Sequence, residues 1–263
     1  MIFYFSCTGN TEWAAKTLAE TTGDTLVNMA TEEPGKPYYA AEGERIGFCF
    51  PIHGWRPPLT VRKFIAHLNI TTPSAGTPYC YAVCTAGDTV GEGMDIFETD
   101  LAQAKLTLSS RLSLLMPESF VGLPFMDVDK PQREKQKKDE AKRLLAQFTK
   151  ESIMPCAPGN HIVEGRWKRT NSRLLGYFFI KHIIGDRHFS ANPAKCTGCT
   201  RCAKACPVAN ITCLPGATPQ WLHTGRCLSC FACYHHCPNR AIEYGNRTKG
   251  KGQYYYERNK NNK

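Results

Sequence analysis

The chain has 263 residues, of which 42% are hydrophobic and 21% charged, and its net charge is +10. This composition excludes a disordered or fibrous protein, and the length allows one large domain or two modest ones. The first apolar residues lead straight into polar ones, without a basic start or a cleavage site, so no signal peptide is predicted. We therefore expect a cytoplasmic protein with no membrane span.

The first 150 residues alternate segments that are typical of strands and helices. Apolar runs predict five strands, at 2–5, 25–29, 45–50, 79–84 and 106–116. Apolar residues at helical spacing lie between or after them, at 11–21, 58–68, 94–106 and 130–148. Repeated βα units imply a parallel sheet with helices on both faces. Residues 1–150 are thus predicted to form one α/β domain.

The remainder of the chain is basic and less regular. Residues 1–150 hold 16 Lys and Arg against 18 Asp and Glu, whereas residues 151–263 hold 17 against 5. Residues 151–190 are predicted to be a basic connector whose helix, at 167–184, packs the two halves together. The polar, basic residues 246–263 predict a solvated tail.

The basic half of the chain favours acidic partners. A nucleic-acid-binding protein is a competing hypothesis, and three adjacent tyrosines in the basic tail are the only support for it. We expect no nucleic acid as a partner.

Nine of the fourteen cysteines fall between Cys196 and Cys237, and eight of these nine form two runs of the pattern C-x2-C-x2-C-x3-C-P. In a reducing compartment, clustered thiols favour metal over disulfides. Zinc is the alternative, but its sites usually pair two C-x2-C elements. In the present pattern, three thiolates of one run bind a [4Fe–4S] cluster and the fourth binds the other cluster. The predicted ligand sets are Cys196, Cys199, Cys202 and Cys237, and Cys227, Cys230, Cys233 and Cys206.

On these two runs, residues 191–245 resemble the bacterial two-cluster ferredoxins. The resemblance implies a small α+β domain that holds two [4Fe–4S] clusters. Cys213 lies in an insertion between the runs and matches no ligand position. We expect it to be a packing residue.

The loop SCTGNT, residues 6–11, follows the first predicted strand. A P-loop would need a lysine after Gly9, and a cysteine-phosphatase loop would need an arginine where Trp13 stands. Without either residue, the loop still offers backbone N–H groups, hydroxyls and a helix N-terminus to a phosphate. It resembles the flavodoxin motif [T/S]-x-T-G-x-T at Ser6, Thr8, Gly9 and Thr11, with Asn10 between. Cys7 occupies the variable position and is expected to be a bystander.

Two further loops follow the third and fourth strands, where flavodoxins place loops beside the flavin ring. The resemblance assigns FMN contacts to Pro51, Ile52, His53, Gly54, Trp55, Thr85, Ala86, Gly87 and Asp88. Trp55 is expected to cover one ring face, although it would also pack on the neighbouring prolines. The fourth-strand loop has no aromatic residue, so the other face is expected to be open or covered by the ferredoxin half.

The full chain resembles the fused flavodoxin–ferredoxin proteins of anaerobes. This resemblance implies a doubly wound, five-stranded parallel sheet of order 2-1-3-4-5, with FMN and two [4Fe–4S] clusters as cofactors. It implies electron transfer, with ferredoxins, flavodoxins or oxidoreductases as redox partners. The alternative is an FMN-dependent reductase of a small molecule, although the flavin loops contain no evident acid–base pair.

Overall fold

The computed structural model describes residues 1–71 and 77–258. The strands of the first 165 residues are β1 (Ile2–Tyr4), β2 (Leu26–Asn28), β3 (Pro37–Tyr39), β4 (Ile46–Pro51), β5 (Asn69–Thr71), β6 (Cys80–Ala86), β7 (Leu108–Leu115) and β8 (Gly159–His161). Six of them form one parallel sheet of order β2-β1-β4-β6-β7-β8, and β3 pairs with β5 separately. Without β3 and β5, the first five strands of the sheet follow the predicted order 2-1-3-4-5. The flavodoxin-like fold is confirmed.

The sixth strand, β8, differs from the five-stranded prediction. It comes from the predicted connector and pairs with β7 through Ser110–Leu112. Its sequence, Gly-Asn-His, has no apolar alternation, since an edge strand buries little side-chain surface. Hydrophobic pattern alone therefore did not mark it as a strand.

Helices cover both faces of the sheet. They are α1 (Asn10–Thr22), α2 (Leu59–Ala66), α3 (Gly93–Gln103) and α4 (Pro131–Phe148), which continues into a π-helical turn at Thr149–Ile153. Successive strand residues point to opposite faces, so Phe3 packs with α2 and α3 whereas Ile2 packs with α1 and α4. Two apolar cores, one on each side of the sheet, therefore hold the first domain together.

A continuous helix, α5, joins this domain to the second one. It consists of a π segment at Thr170–Leu175, an α turn at Gly176–Phe178 and a second π segment at Phe179–Ile183. The second domain contains β9 (Phe189–Ala191), α6 (Arg201–Lys204), β10 (Ile211–Thr212), β11 (Gln220–Trp221), α7 (Ala232–His235) and β12 (Ile242–Tyr244). Its pairs β9–β12 and β10–β11 are antiparallel. It has a core of its own around Phe231 and Tyr244.

The prediction of a solvated tail is wrong where Tyr254 and Tyr256 lie. Tyr254 is 3% exposed, and its hydroxyl donates to Asn10 Oδ1 at 2.6 Å. The Tyr256 ring stacks on Trp13 with 5.2 Å between centroids. Aromatic burial thus fixes this part of the tail against the first domain. The last five residues of the predicted tail lie outside the described residues.

Within residues 1–71 and 77–258, no helix is long and apolar enough to cross a bilayer.

Candidate functional site

Three predicted loops meet at the carboxyl end of the sheet. They follow the neighbouring strands β1, β4 and β6 and line one cavity of about 610 Å³. Doubly wound folds bind ligands at this edge, where the strand order reverses. Its lining includes the predicted residues Ser6, Cys7, Thr8, Asn10, Thr11, Pro51, Ile52, His53, Gly54, Trp55, Thr85, Ala86, Gly87 and Asp88. We call it the large cavity.

Gly9 does not line the large cavity but shapes its first loop. Its φ of +91° lies in the left-handed region that favours glycine, directly before α1. A Cβ at this position would lie 3.0 Å from the Cβ of Tyr256. The backbone N–H of Tyr256 also donates to the Thr8 carbonyl at 2.9 Å. The C-terminal segment therefore closes the back of the loop.

Asn10 and Thr11 use their side chains to hold the loops together. Asn10 Nδ2 donates to the Pro117 carbonyl at 3.2 Å, and the Thr11 and Thr85 hydroxyls hydrogen-bond at 2.7 Å. Ser6 differs, because its Oγ is buried and has no hydrogen-bond partner among the described residues. A buried polar atom without a partner costs free energy. Ser6 is thus the side chain that this loop leaves available to a polar ligand.

The second loop is a tight turn around Gly54. The His53 N–H donates to the Arg56 carbonyl at 2.9 Å, and the Arg56 N–H donates to the His53 carbonyl at 3.2 Å. Burial lowers the pKa of His53 to about 4, so its ring is neutral at pH 7. Its Nδ1 atom is buried without a partner in the described chain. This loop thus adds a second unpaired polar atom at the large cavity.

Two segments to which the sequence assigned no cofactor contact complete the large cavity. One follows β7, and the other is the second half of α5. They contribute Glu118, Ser119, Phe120, Leu123, Phe125, Met126, Leu175, Phe178, Phe179 and Ile183. Because β7 ends at the same sheet edge, strand order could have placed the first segment there. No local signal could have placed α5.

Helix α5 is fixed directly onto the second loop. The Ser172 hydroxyl donates to the Trp55 carbonyl at 3.1 Å and accepts from the Glu92 N–H at 2.8 Å. A Cβ on Gly176 would lie 2.3 Å from the Gly54 carbonyl oxygen, so only glycine permits this approach. The predicted helix at 167–184 therefore does pack against the first domain.

Glu118 places a carboxyl group in the wall of the large cavity. One of its oxygens accepts from the backbone N–H groups of Ser119 and Phe120, at 2.9 and 2.7 Å. Burial raises the pKa of Glu118 above its usual value. The other oxygen packs against Gly87, where an added Cβ would lie 2.2 Å away. The large cavity therefore has an acid group, although the flavin loops themselves contain no acid–base pair.

The eight predicted cysteine ligands surround two smaller cavities in the second domain. One is lined by Cys196, Cys199, Cys202 and Cys237, and the other by Cys206, Cys227, Cys230 and Cys233. We call them the first and second cysteine cavities. Each takes its fourth cysteine from the other run, which is the crossed grouping that the spacing predicts. Across the described residues, no three His, Cys, Asp or Glu side chains converge closely enough for a single metal ion.

The two cysteine runs are structural repeats. Equivalent residues adopt left-handed φ values in pairs, at Gly198 and Ser229, Thr200 and Phe231, and Ala209 and Arg240. The backbone N–H groups of Asn210 and Ala241 each donate to a cysteine sulfur, of Cys206 and Cys237 respectively, at 3.2 Å. Hydrogen bonds to cysteine sulfurs are a usual part of iron–sulfur sites. Both runs thus present the same backbone environment to their sulfurs.

Cys213 also lines the first cysteine cavity without matching a ligand position. Its thiol donates to backbone carbonyls, that of Ala217 at 3.4 Å and that of Leu214 at 3.7 Å. These contacts are compatible with the predicted packing role.

The large cavity and the second cysteine cavity share residues. Leu228 and Cys230 line both. Cys7 lines the large cavity beside them. Its expected role as a bystander stays a prediction.

Residues 188–238 match the family of 4Fe-4S dicluster domains. The match spans both cysteine runs, so the second domain is an iron–sulfur domain that follows a flavodoxin-like one. This arrangement fits a fused flavodoxin–ferredoxin protein. A comparison with curated proteins returned no match.

Solved structures show low similarity to the first part of the chain. An azoreductase from Bacillus anthracis str. Sterne is 10% identical over 56% of this chain and 97% of its own, with a TM-score of 0.37. The rubredoxin oxygen:oxidoreductase of Desulfovibrio gigas is 16% identical over 56% and 35%, with a TM-score of 0.30. The Flv1 flavodiiron core of Synechocystis sp. PCC6803 is 20% identical over 57% and 36%, with a TM-score of 0.29. The chain thus spans little more than a third of the last two proteins.

Proposed function

We propose that this protein is a cytoplasmic electron carrier with FMN in the large cavity and a [4Fe–4S] cluster in each cysteine cavity. The observation that supports this proposal most directly is that Cys230 lines both the large cavity and the second cysteine cavity. FMN exchanges one or two electrons when bound, and each cluster exchanges one, so this set suits conversion between two-electron and one-electron partners.

The large cavity fits the chemistry of FMN. The loop before α1 offers backbone N–H groups to a phosphate, and two buried polar atoms, Ser6 Oγ and His53 Nδ1, lack partners within the described residues. Phe120, Phe178 and Phe179 provide flat apolar surface for an aromatic ring system, which the fourth-strand loop does not. The chain thus supplies both a polar end and an apolar end for the cofactor.

The cysteine cavities fit two four-iron clusters. Each cavity has three thiols from one run and a fourth from the other run. In each run, a backbone N–H group donates a hydrogen bond to the sulfur of the last cysteine. The two cavities lie in one small domain whose core includes Cys202, Cys233 and Cys237. Burial of these sulfurs would keep water away from the clusters.

We propose acidic redox proteins as partners, bound beside the first cysteine cavity. Cys199 is exposed there, whereas none of the four cysteines around the second cavity is exposed. Residues 191–250 hold seven Lys and Arg but only one acidic residue, and Lys195 and Arg201 beside this cavity are exposed. Opposite charges speed the encounter of two proteins. The nucleic-acid hypothesis is weakened, because two of its three tyrosines are packed against the first domain.

A second candidate function is an FMN-dependent reductase of an apolar small molecule. The rim of the large cavity favours it, since Phe125 is 84% exposed and Leu175 and Phe178 are also exposed. Glu118 places a carboxyl group in the same cavity, and burial raises its pKa. An uncharged, flat acceptor would therefore find apolar surface and a carboxyl group together.

Cofactor content is the first test. Protein that is reconstituted without oxygen should contain about eight irons and one FMN per chain. A Cys156→Ala variant is the control, because Cys156 is an exposed cysteine outside both runs and should leave the iron content unchanged. Four irons or fewer in the fully reconstituted wild-type protein, or no flavin, would contradict the proposal.

Electron acceptors separate the two candidate functions. The reduced protein should transfer electrons to an acidic flavodoxin at a rate that falls several-fold between 0.1 and 1 M salt, where the Debye length shortens from about 10 to about 3 Å. Arg201→Glu should flatten this salt dependence in stopped-flow measurements. Lys142→Glu, an exposed change on α4 in the first domain, should not. Rapid reoxidation by a quinone together with no transfer to flavodoxin would favour the reductase.

A further inference from the structure

We infer that the exposed face of α5 binds to the surface of a bilayer that contains anionic phospholipids. Such binding lies beyond the proposed function, and it requires neither FMN nor a cluster. It gives the helix that joins the two domains a second task, in which apolar side chains enter the lipid and basic ones meet its phosphates.

The outer face of α5 is apolar although it is exposed. The helix packs on the first domain through Ser172 and Gly176, which are both buried. On its other side, and in the turn that precedes it, large apolar side chains remain in solvent. They are Trp167, Leu174, Leu175, Tyr177 and Phe178, and we call them the α5 patch. A soluble protein seldom leaves so many large apolar side chains of one short segment in water, so the α5 patch marks an interaction surface.

The α5 patch reaches the mouth of the large cavity. Leu175 and Phe178 belong both to the patch and to the lining of this cavity. Phe125, which lines the same cavity from the segment after β7, is also exposed. A membrane that covers the α5 patch would therefore face the mouth of the large cavity.

The segment that carries the α5 patch is strongly basic. Residues 165–185 contain five Lys and Arg and no Asp or Glu. Two carboxylates of neighbouring segments offset part of this charge. The ion pairs are Arg173–Glu92 at 2.7 Å, Arg169–Glu92 at 3.9 Å and Lys168–Glu164 at 2.8 Å. Five cations thus meet two carboxylates, and the excess positive charge favours an anionic surface.

The two remaining cations lie beside aromatic rings of the patch. Arg166 Cζ is 5.7 Å from the centroid of the Trp167 ring. Lys181 Nζ is 5.6 Å from the centroid of the Tyr177 ring. Tryptophan and tyrosine, together with lysine and arginine, are the side chains that prefer the headgroup region of a bilayer. There the ring is half-buried and the charge meets phosphate, so this pairing favours a lipid surface.

Two other occupants suit this surface less well. In a twofold contact between copies of this chain, the same cations would face each other and repel. The core of a protein–protein interface is depleted of charged residues, whereas cations here alternate with apolar side chains along one helix. At a bilayer, long basic side chains extend to the phosphates while the apolar side chains between them enter the lipid. The composition of the helix therefore favours anionic lipid.

The test is flotation of the full-length, reconstituted protein with vesicles. One set contains phosphatidylcholine alone, and the other contains phosphatidylcholine and phosphatidylglycerol in equal parts. At about 0.1 M salt, the protein should bind the anionic vesicles at least about tenfold more tightly than the neutral ones. The difference should shrink at about 1 M salt, where the Debye length is only about 3 Å.

Two pairs of variants test the surface itself. Leu174→Ser should lower the partition coefficient about fivefold, because less apolar surface enters the lipid. Lys181→Glu should lower it about tenfold, because a favourable charge becomes an unfavourable one. The matched controls are Leu214→Ser in the second domain and Lys142→Glu on α4, since both residues are also exposed. Both controls should stay within about twofold of the wild type, and all four variants should keep the wild-type circular dichroism spectrum.

Several results would overturn the inference. These are no binding of the wild-type protein to anionic vesicles, and equal losses of binding in Leu174→Ser and Leu214→Ser. If the protein ignored vesicles but self-associated, or bound an acidic flavodoxin, in a manner that Leu174→Ser abolished, the α5 patch would be a protein interface and the inference would also fail. A wild-type protein that binds anionic vesicles but takes up neither FMN nor iron would overturn the proposed function alone.

Discussion

A variant that lacks both Cys206 and Cys227 should retain about four irons per chain, whereas one that lacks Cys206 and Cys196 should retain almost none. The structure groups Cys206 with Cys227 around the second cysteine cavity, so the first pair of changes damages a single cluster. Cys196 lines the other cavity, so the second pair damages both. Iron and sulfide analysis after anaerobic reconstitution measures the difference directly.

The opposite result has an equally clear meaning. If each run bound its own cluster, the pair Cys196 and Cys206 would cost only one cluster, and the pair Cys206 and Cys227 would cost both. Variants lacking Cys199 or Cys230 are poorer choices for this test, since a thiol that lines the same cavity, Cys213 or Cys7 respectively, could replace the lost ligand. The single variant Cys206→Ala should keep about four irons under either grouping, so only the pairs discriminate.

Replacing Gly9 by alanine should weaken FMN binding by at least about tenfold, or ~1.4 kcal/mol. Alanine at a φ of +91° is strained, and its Cβ would press on Tyr256 Cβ at 3.0 Å. Relief of this contact would move either the tail or the loop before α1, whose Thr8 carbonyl accepts from the Tyr256 N–H. Titration of flavin-free protein with FMN, followed by quenching of flavin fluorescence, gives the dissociation constant.

Gly23 is the matched control for this substitution. It ends the same helix with a φ of +75°, but a Cβ there meets nothing within 4 Å. Gly23→Ala should therefore lower the free energy of unfolding, measured in urea, by roughly 1–2 kcal/mol. It should leave the FMN dissociation constant within about twofold of the wild-type value. An equal loss of FMN affinity in both variants would mean that general destabilisation, and not the first loop, controls binding.

Much of the fold could be predicted, because burial leaves a regular pattern in the sequence. Strands β4 and β6 are buried almost throughout and read as continuous apolar runs between helices. The edge strand β8 and the short pair β3 and β5 bury little, and so nothing in the pattern marks them. The burial of Tyr254 was not predicted for a related reason, since the charged residues around it in the sequence favour an exposed segment.

The candidate site likewise contains some residues that the sequence could predict and others that it could not. Its three loops could be found because each follows a predicted strand, and parallel strands end at one edge. Glu118 and Phe120 follow β7, which is the fifth predicted strand, and they line the same cavity. They match no motif. The contacts of α5 depend on Gly176 meeting Gly54, which no spacing within either segment reveals.

The sequence by itself determined the two cysteine sets, the position of the loop before α1 and the parallel sheet, because each depends on spacing within one segment or on burial along one strand. Only the tertiary structure decided which cysteine cavity adjoins the large cavity, which aromatic residues line that cavity, and that Cys7 and Cys230 line it together. The physical reason is that these are contacts between side chains of distant segments. They depend on how the second domain docks on the sheet edge, and the docking is determined by the packing of whole surfaces.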